Sequence, residues 1–149
     1  MKILMVCLGN ICRSPLAHGI LEKMAADKGL NWEIDSAGTG DWHIGNPPDR
    51  RSISIAKKYG VDISSQVCRQ FQPDDFAYYD RIYVMDKNNL RDVLSLSNNK
   101  EEQEKVMLFL ENDIVPDPYL DDNLFDPVYH MIEERCRQIL KKEENAIRN

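Results

Sequence analysis

Near its amino terminus the chain runs from a short apolar segment directly into a glycine–asparagine turn and then into an amphipathic stretch. Residues 2–6 are almost continuously apolar and stop at that turn, as expected of a buried strand that ends in a loop. Ser14 is a candidate N-cap and Pro15 a candidate first helical residue, and the apolar stripe that follows should end near Gly29. A strand that passes at once into a helix is the opening unit of an α/β fold.

The same alternation continues along the rest of the chain. By periodicity and turn residues, the predicted strands are 32–36, 81–85 and 105–110, and the predicted helices are 48–59, 88–96 and a C-terminal helix over 128–140. Residues 37–48 form a candidate functional loop, and residues 97–104 form a polar loop or a frayed helix. This order predicts a flavodoxin-like, doubly wound α/β fold, in which a four-stranded parallel sheet carries helices on both faces.

The length and charge of the chain limit its organisation and its partners. With 149 residues, 42% of them hydrophobic, we expect a single domain with one core. The formal net charge of -6 argues against broad binding to nucleic acid or to an anionic membrane surface. No segment approaches the length of a membrane span, and the first apolar run is too short for a signal peptide. We therefore expect a cytoplasmic protein.

Four cysteines are present, and a cytoplasmic chain is expected to keep them reduced. They are Cys7, Cys12, Cys68 and Cys136. A zinc site is not expected, since Cys68 and Cys136 stand alone and the histidines show no metal-ligand spacing. We expect no metal and no cofactor, and a catalytic or redox role for a thiol becomes worth testing.

Cys7 follows the first strand, and Arg13 comes after five intervening residues, just before the predicted helix. Backbone N–H groups of such a loop and the positive end of the helix dipole bind phosphate, and the planar guanidinium of Arg13 matches two phosphoryl oxygens. The same field favours the thiolate form of Cys7, which is a nucleophile, and the Ser14 hydroxyl could donate to its sulfur. The candidate phosphate loop comprises Leu8, Gly9, Asn10, Ile11, Cys12 and Ser14.

Neither Cys7 nor Arg13 decides the chemistry when it is taken singly. A cysteine after a buried strand is often only a small hydrophobe, and an isolated arginine could pair with a surface acid. The combination C-x5-R-S between a strand and the start of a helix indicates an oxyanion site that carries a reactive thiol.

The motif CLGNICRSP, together with Asp117-Pro118-Tyr119 downstream, resembles the low-molecular-weight protein tyrosine phosphatase family. The resemblance runs along nearly the whole chain in order and spacing. Further matching stretches are Ser36-Ala37-Gly38-Thr39, Gly45-Asn46-Pro47-Pro48-Asp49, Arg69-Gln70-Phe71, Met85-Asp86 with Asn89-Leu90, and Phe125, Val128, Ile132 and Cys136. The resemblance implies that residues 1–149 form one low-molecular-weight phosphotyrosine protein phosphatase domain. It also implies tyrosine-phosphorylated protein substrates, with phosphate or other oxyanions as product or inhibitor.

The resemblance further implies a two-step reaction. Cys7 attacks phosphorus in line, Arg13 stabilises the equatorial oxygens, and Asp117 protonates the departing phenolate. Asp117 then helps water to attack the phosphocysteine. The expected activity is metal-independent hydrolysis of phosphotyrosine and of small aryl phosphates. Taken alone, without the phosphate loop, the Asp117-Pro118 pair indicates only an exposed aspartate in a turn.

The resemblance places Trp42 and Tyr119 as two walls of a slot above the phosphate, with Leu8 and Ile11 near its base. An aromatic ring fits between such walls, and the depth of the slot would exclude the shorter phosphoserine. On the residues alone, a core role for Trp42 is at least as compatible with the sequence. We expect a monomer or a weak dimer.

Three positions in or near the site bear on its regulation and support. Cys12 lies close enough to Cys7 in the loop for a reversible disulfide that would protect the nucleophile, which is a hypothesis. Gln66 stands where many family members carry a histidine that holds the phosphate loop, and its amide can still donate and accept hydrogen bonds. Tyr119 is followed by Leu120, so a second regulatory tyrosine cannot be carried over.

Three alternative activities share parts of this pattern. Arsenate reduction on this fold uses a relay of extra cysteines, which the chain lacks. Phosphoarginine hydrolysis usually accompanies a threonine after the loop asparagine, where this chain has Ile11. A noncatalytic phosphate-binding module would need neither a thiolate nor a proton donor, and turnover of a small aryl phosphate would exclude it.

Overall fold

Four parallel strands form the centre of the molecule. The computed structural model describes residues 1–111 and 113–148. The strands lie in the order β2-β1-β3-β4, and each neighbouring pair runs parallel. Strands β1 to β4 cover Lys2–Cys7, Glu33–Gly38, Arg81–Val84 and Val106–Leu108. Because the chain extends the sheet first on one side of β1 and then on the other, the direction of winding reverses there, and the carboxyl ends of β1 and β3 open a crevice.

Helices cover both faces of this sheet. In the described part of the chain, α1 to α6 span Arg13–Asp27, Arg50–Lys58, Asp75–Tyr78, Lys87–Leu94, Lys100–Glu104 and Phe125–Arg148, and a short 3₁₀ turn covers Asp122–Leu124. Among the described residues, no helix is both long and apolar enough to cross a membrane.

Alternate residues of β1 point to opposite faces and contribute to two separate cores. Ile3 and Met5 are buried among residues of α1, α2 and α6, whereas Leu4 and Val6 are buried among residues of α3 and α4. A strand that is buried on both faces is apolar at successive positions, which explains why residues 2–6 show little alternation. The predicted flavodoxin-like, doubly wound fold is confirmed.

The predicted elements are present, with shifted ends. β1 continues one residue beyond its predicted end, to Cys7. α2 begins at Arg50 rather than at residue 48, because the carboxylate of Asp49 accepts a hydrogen bond from the Arg51 N–H and caps the helix. α1 ends just before Gly29, which has a φ of 70°, so the predicted stop near this glycine is confirmed.

Two local features differ from the sequence prediction, and a third agrees with one of its two alternatives. The prediction that Ser14 caps α1 is wrong, because the helix begins at Arg13 and Ser14 is its second residue. The segment 97–104, for which a polar loop or a frayed helix is predicted, contains the short helix α5, where the side chain of Asn99 accepts a hydrogen bond from the Glu102 N–H. The helix α3 is absent from the prediction, since its 4 residues are too few to show a helical period.

Candidate active site

The loop between β1 and α1 crosses the carboxyl edge of the sheet. Cys7 ends the strand and Arg13 begins the helix, and each is only 3% exposed. The neighbouring loop after β2 holds the first half of this turn, since the Thr39 N–H donates to the Cys7 carbonyl and the Gly40 N–H to the Leu8 carbonyl, both at 2.9 Å. Two strand ends and a helix terminus therefore meet at one place.

Close packing of β2 against the loop requires a glycine at its end. A Cβ atom on Gly38 would lie 2.9 Å from the carbonyl oxygen of Leu8 and 3.1 Å from the Asn10 nitrogen. Only glycine permits that approach without displacing the loop backbone. We infer that the Ser36-Ala37-Gly38-Thr39 stretch is part of the loop's support.

Asn10 links the backbone of the loop to the nucleophile. It is buried and adopts a left-handed φ of 57°, a conformation that asparagine tolerates better than most residues. Its Nδ2 donates to Ser14 Oγ at 2.9 Å, and Ser14 Oγ lies 3.0 Å from Cys7 Sγ. Because the Ser14 oxygen already accepts from Asn10, its hydroxyl hydrogen is available to the Cys7 sulfur.

The segment from Gln66 to Arg69 packs against this loop and the start of α1. The thiol of Cys68 donates to the Asn10 carbonyl at 2.8 Å, and the Arg69 N–H donates to Asn10 Oδ1 at 3.0 Å. Gln66 Nε2 donates to the Pro15 carbonyl at 3.1 Å, so this glutamine supports the first turn of α1. Burial, and then the charge of Cys7, raises the pKa of Cys68 to about 11, which keeps its thiol protonated as a donor.

The guanidinium of Arg13 is oriented by groups at the ends of other elements. Its Nη1 donates to Asp86 Oδ2 at 2.7 Å and to the Val115 carbonyl at 3.0 Å. The other oxygen of Asp86 accepts from the Asn89 N–H at the start of α4. Burial alone would lower the pKa of Arg13, but the charge of Cys7 and the facing carboxylates outweigh burial and raise it. Arg13 is therefore held as a fixed cation beside the thiol.

Asp117 arrives from the loop that follows β4. Its Oδ2 lies 3.7 Å from Arg13 Nη2, and its Oδ1 accepts a hydrogen bond from the Tyr119 N–H at 3.1 Å. The Val115 N–H donates to the Met85 carbonyl at 2.8 Å and anchors the start of this loop beside β3. The Asp117 side chain is 47% exposed, so it is open to solvent and to an approaching ligand.

A thiol, a buried arginine and a half-exposed carboxylate thus lie close together at the carboxyl edge of the sheet. Comparison with known proteins shows which family the chain belongs to. The family described as low molecular weight phosphotyrosine protein phosphatase matches residues 2–148. The chain belongs to this family of protein tyrosine phosphatases.

Individual relatives match over nearly their whole length. The human low molecular weight phosphotyrosine protein phosphatase is 42% identical over 150 residues, which cover 95% of this chain and 94% of the human protein. A protein tyrosine phosphatase from Entamoeba histolytica, solved with Hepes in its active site, superposes with a TM-score of 0.92 at 32% identity, covering 98% of each chain. A Drosophila arginine phosphatase superposes with a TM-score of 0.88 at 31% identity, covering 96% of this chain and 98% of that one.

Trp42 and Tyr119, which the family resemblance places as walls of the substrate slot, are both exposed. Trp42 is 67% exposed and its ring lies against Gly40, where an added Cβ would come within 2.0 Å of the ring. Tyr119 is 45% exposed and its ring faces the guanidinium of Arg51 at 5.5 Å. Leu8 is exposed as well, and Ile11 is half-buried. A core role for Trp42 is excluded, and the slot itself stays a prediction.

Cys12 is buried beside the nucleophile in this phosphatase loop. Burial, followed by the charges of Asp49 and Cys7, raises the pKa of Cys12 to about 12. Its thiol is therefore protonated at neutral pH, which makes it a slow partner for an oxidised Cys7. Cys7 and Cys12 are both free thiols here, and the regulatory disulfide stays a prediction.

Two of the three histidines, His18 and His130, contact polar side chains. His18 Nδ1 lies 3.0 Å from Ser36 Oγ, and His130 lies 3.6 Å from the carboxylates of Asp126 and Glu133. Within residues 1–111 and 113–148, no group of three or more His, Cys, Asp or Glu side chains is arranged to hold a metal ion.

Proposed function

We propose that the protein hydrolyses phosphotyrosine through a phosphocysteine intermediate on Cys7. The observation that carries the proposal is the meeting of three groups from two distant segments of the chain at one sheet edge. Cys7 and Arg13 enclose the phosphate loop, and the carboxylate of Asp117 lies 3.7 Å from the Arg13 guanidinium. A nucleophile, an oxyanion clamp and a proton donor are the parts that phosphomonoester cleavage through an enzyme-bound phosphate needs.

In the first step the Cys7 thiolate attacks phosphorus in line with the aryl oxygen. The sulfur–phosphorus bond forms as the bond from phosphorus to the aryl oxygen breaks. The backbone N–H groups of the loop, the start of α1 and the fork of Arg13 stabilise the charge on the three equatorial oxygens. Asp117, protonated for this step, gives its proton to the departing phenolate.

In the second step water replaces the cysteine at phosphorus. Asp117, now a carboxylate, takes a proton from the attacking water, the sulfur–phosphorus bond breaks, and inorganic phosphate forms. The leaving thiolate is stabilised by the Ser14 hydroxyl, whose oxygen is 3.0 Å from Cys7 Sγ. The supporting bond from Asn10 orients this hydroxyl and leaves its hydrogen for the sulfur.

Phosphotyrosine is the substrate that the surroundings of the loop favour. The family resemblance places Trp42, Tyr119 and Leu8 around the loop, and all three are exposed; such side chains suit an aromatic ring better than a short polar side chain. The family to which the chain belongs is named for phosphotyrosine, and so is the human relative. The Drosophila neighbour is an arginine phosphatase, so phosphoarginine is the informative competing substrate.

The test is release of inorganic phosphate from phosphotyrosine, phosphoserine and phosphoarginine peptides by reduced protein, with chelator present. We expect turnover of the phosphotyrosine peptide and of p-nitrophenyl phosphate, and only background release from the other two peptides. Faster release from phosphoarginine would replace the substrate assignment. If folded, reduced protein turned over none of them, the hydrolytic proposal would fall in favour of a phosphate-binding module.

Asp117→Asn is expected to lower kcat/KM for phenyl phosphate by about 10²-fold or more, because the amide cannot protonate the leaving phenolate. Competitive inhibition by inorganic phosphate should stay close to that of the wild type, since Arg13 and the loop still bind the oxyanion. Steady-state kinetics with both compounds measures this split. Asp121→Asn, in the same loop, is the matched control and should leave both values near those of the wild type.

A further inference from the structure

Arg51, at the start of α2, contacts the residue that caps this helix and a distant segment, residues 119–125. Its Nε and Nη2 bind the two carboxylate oxygens of Asp49 at 3.0 and 2.8 Å, and its Nη1 binds Asp122 Oδ1 at 2.6 Å. Its guanidinium also faces the ring of Phe125 at 4.7 Å and the ring of Tyr119 at 5.5 Å. One side chain therefore joins the start of α2 to the segment that follows Asp117.

Both sides of this bridge continue into the active site. On one side, the Asp49 N–H donates to the Ile11 carbonyl of the phosphate loop at 2.8 Å. On the other, the Tyr119 N–H donates to Asp117 Oδ1 at 3.1 Å. Arg51 thus lies in the middle of a continuous series of contacts that runs from the phosphate loop to the carboxylate of Asp117.

The segment that carries Asp117 depends on such contacts for its position. Residues 114–121 contain no helix or strand, and the Asp117 side chain is half-exposed. The start of the segment is fixed by the hydrogen bond from the Val115 N–H to the Met85 carbonyl. Beyond Asp117, Arg51 provides contacts to both Tyr119 and Asp122.

The geometry of Arg51 suits this bridging role. A single exposed ion pair holds a loop weakly, but a planar guanidinium can bind one carboxylate with two nitrogens, a second with the third, and stack on aromatic rings as well. The hydrogen bond from Arg51 lowers the pKa of Asp49, so this carboxylate is ionised at neutral pH. Arg51 is 34% exposed, partly sheltered by its partners.

We propose that Arg51 is a positioning residue that holds the Asp117 segment over the phosphate loop, so that the acid reaches the oxygen of the leaving group. The inference rests on the proposed role of Asp117 as proton donor. Arg51 does not touch the phosphate in this scheme; it acts through Tyr119 and Asp122 on the placement of the carboxylate. Misplacement of a catalytic group by about 1 Å costs up to about 10²-fold in rate, so a loosened segment should slow the protonation step measurably.

The test compares Arg51→Ala with wild type on two aryl phosphates. Phenolate is a poor leaving group and needs the proton, whereas 2,4-dinitrophenolate leaves without it. We expect kcat/KM for phenyl phosphate to fall by about 10-fold and kcat/KM for the dinitrophenyl ester to change by less than about 2-fold. Competitive inhibition by inorganic phosphate should be unchanged. If Arg51 had a merely structural role, kcat/KM would fall together for both esters, or phosphate binding would weaken.

Three further variants make the comparison specific. Arg50→Ala removes the neighbouring exposed arginine of the same helix and should behave as wild type. Arg51→Lys keeps the charge but cannot bind Asp49 with two nitrogens and reach Asp122 as well. Its kcat/KM for phenyl phosphate should therefore lie between those of the wild type and Arg51→Ala. Asp122→Asn weakens only the contact on the side of the Asp117 segment. It should also lower kcat/KM for phenyl phosphate more than for the dinitrophenyl ester, but by a smaller factor than Arg51→Ala.

The outcomes separate this inference from the proposed function. Equal losses on both esters, or wild-type behaviour of Arg51→Ala, would overturn the positioning role while leaving Asp117 as the acid. If Arg51→Ala does not fold, Asp122→Asn provides the test. Equal effects of Asp122→Asn on kcat/KM for the two esters would then overturn the inference. If Asp117→Asn itself hydrolyses phenyl phosphate like the wild type, the acid assignment is wrong and the role of Arg51 falls with it.

Discussion

Cys7→Ser is expected to reduce aryl phosphate turnover to the uncatalysed background. Serine is close in size to cysteine and keeps the loop filled, but a hydroxyl is a far weaker nucleophile at neutral pH than a thiolate. The loop N–H groups, Arg13 and the start of α1 are untouched, so inorganic phosphate and a phosphotyrosine peptide should still bind. Steady-state assays with p-nitrophenyl phosphate, and binding of the labelled peptide, measure the two properties separately.

The control for this substitution is Cys136→Ala. Cys136 is fully buried between α6 and α1, far in sequence from the phosphate loop, with its thiol 3.8 Å from the Ala17 carbonyl. Its removal should cost some stability but leave turnover intact. Residual activity of Cys7→Ser within about 10²-fold of wild type would show that another group attacks phosphorus, and the phosphocysteine mechanism would be abandoned.

The fold was largely predictable from the sequence, because its strands and longer helices each carry a local signal. Residues 2–6 are apolar without alternation, as a strand buried on both faces must be, and α6 shows a clear helical stripe. The short helix α3 gave no such signal with its 4 residues. Ser14 carries the signal of a helix cap but lies inside α1, and its hydroxyl lies 3.0 Å from Cys7 Sγ, as the predicted donation to that sulfur requires.

The residues of the candidate site also differ in whether the sequence carries a local signal for them. Cys7 and Arg13 are close in sequence, so a motif reveals them, and Asp117 follows from the family resemblance. The groups that support them come from distant segments and carry no local signature. Cys68 looked isolated in the sequence, yet its thiol meets the Asn10 carbonyl at 2.8 Å. Arg51 carries no local signature of its role either, because its partners at 119–125 are brought to it by the fold.

Asp86 shows how one residue can link the fold and the chemistry. One oxygen caps α4 through the Asn89 N–H at 2.8 Å, and the other accepts from Arg13 at 2.7 Å. The start of α4 at the end of β3 therefore determines where the Arg13 guanidinium lies. Since β3 and β1 are neighbours at the reversal of the sheet winding, the crevice of the fold and the phosphate clamp have a common structural origin.

Arg13→Lys is expected to lower kcat/KM for aryl phosphates by on the order of 10³–10⁵-fold, although the positive charge is retained. In the native site one nitrogen of the guanidinium binds Asp86 and the Val115 carbonyl, and Nη2 is 3.7 Å from the Asp117 carboxylate and remains available to a phosphoryl oxygen. A lysine ammonium is a single point of charge, so it can satisfy Asp86 or the phosphate but cannot span both.

Inhibition by inorganic phosphate distinguishes this variant from Asp117→Asn. Arg13→Lys should weaken phosphate inhibition together with turnover, whereas loss of the acid should spare phosphate binding, and a thermal unfolding scan checks that the buried replacement is folded. If Arg13→Lys retained kcat/KM within about 10-fold of wild type, charge alone would suffice at this position. The fork geometry set by Asp86 and Val115 would then have no catalytic purpose, and the transition-state charge would have to be carried mainly by the loop N–H groups and the start of α1.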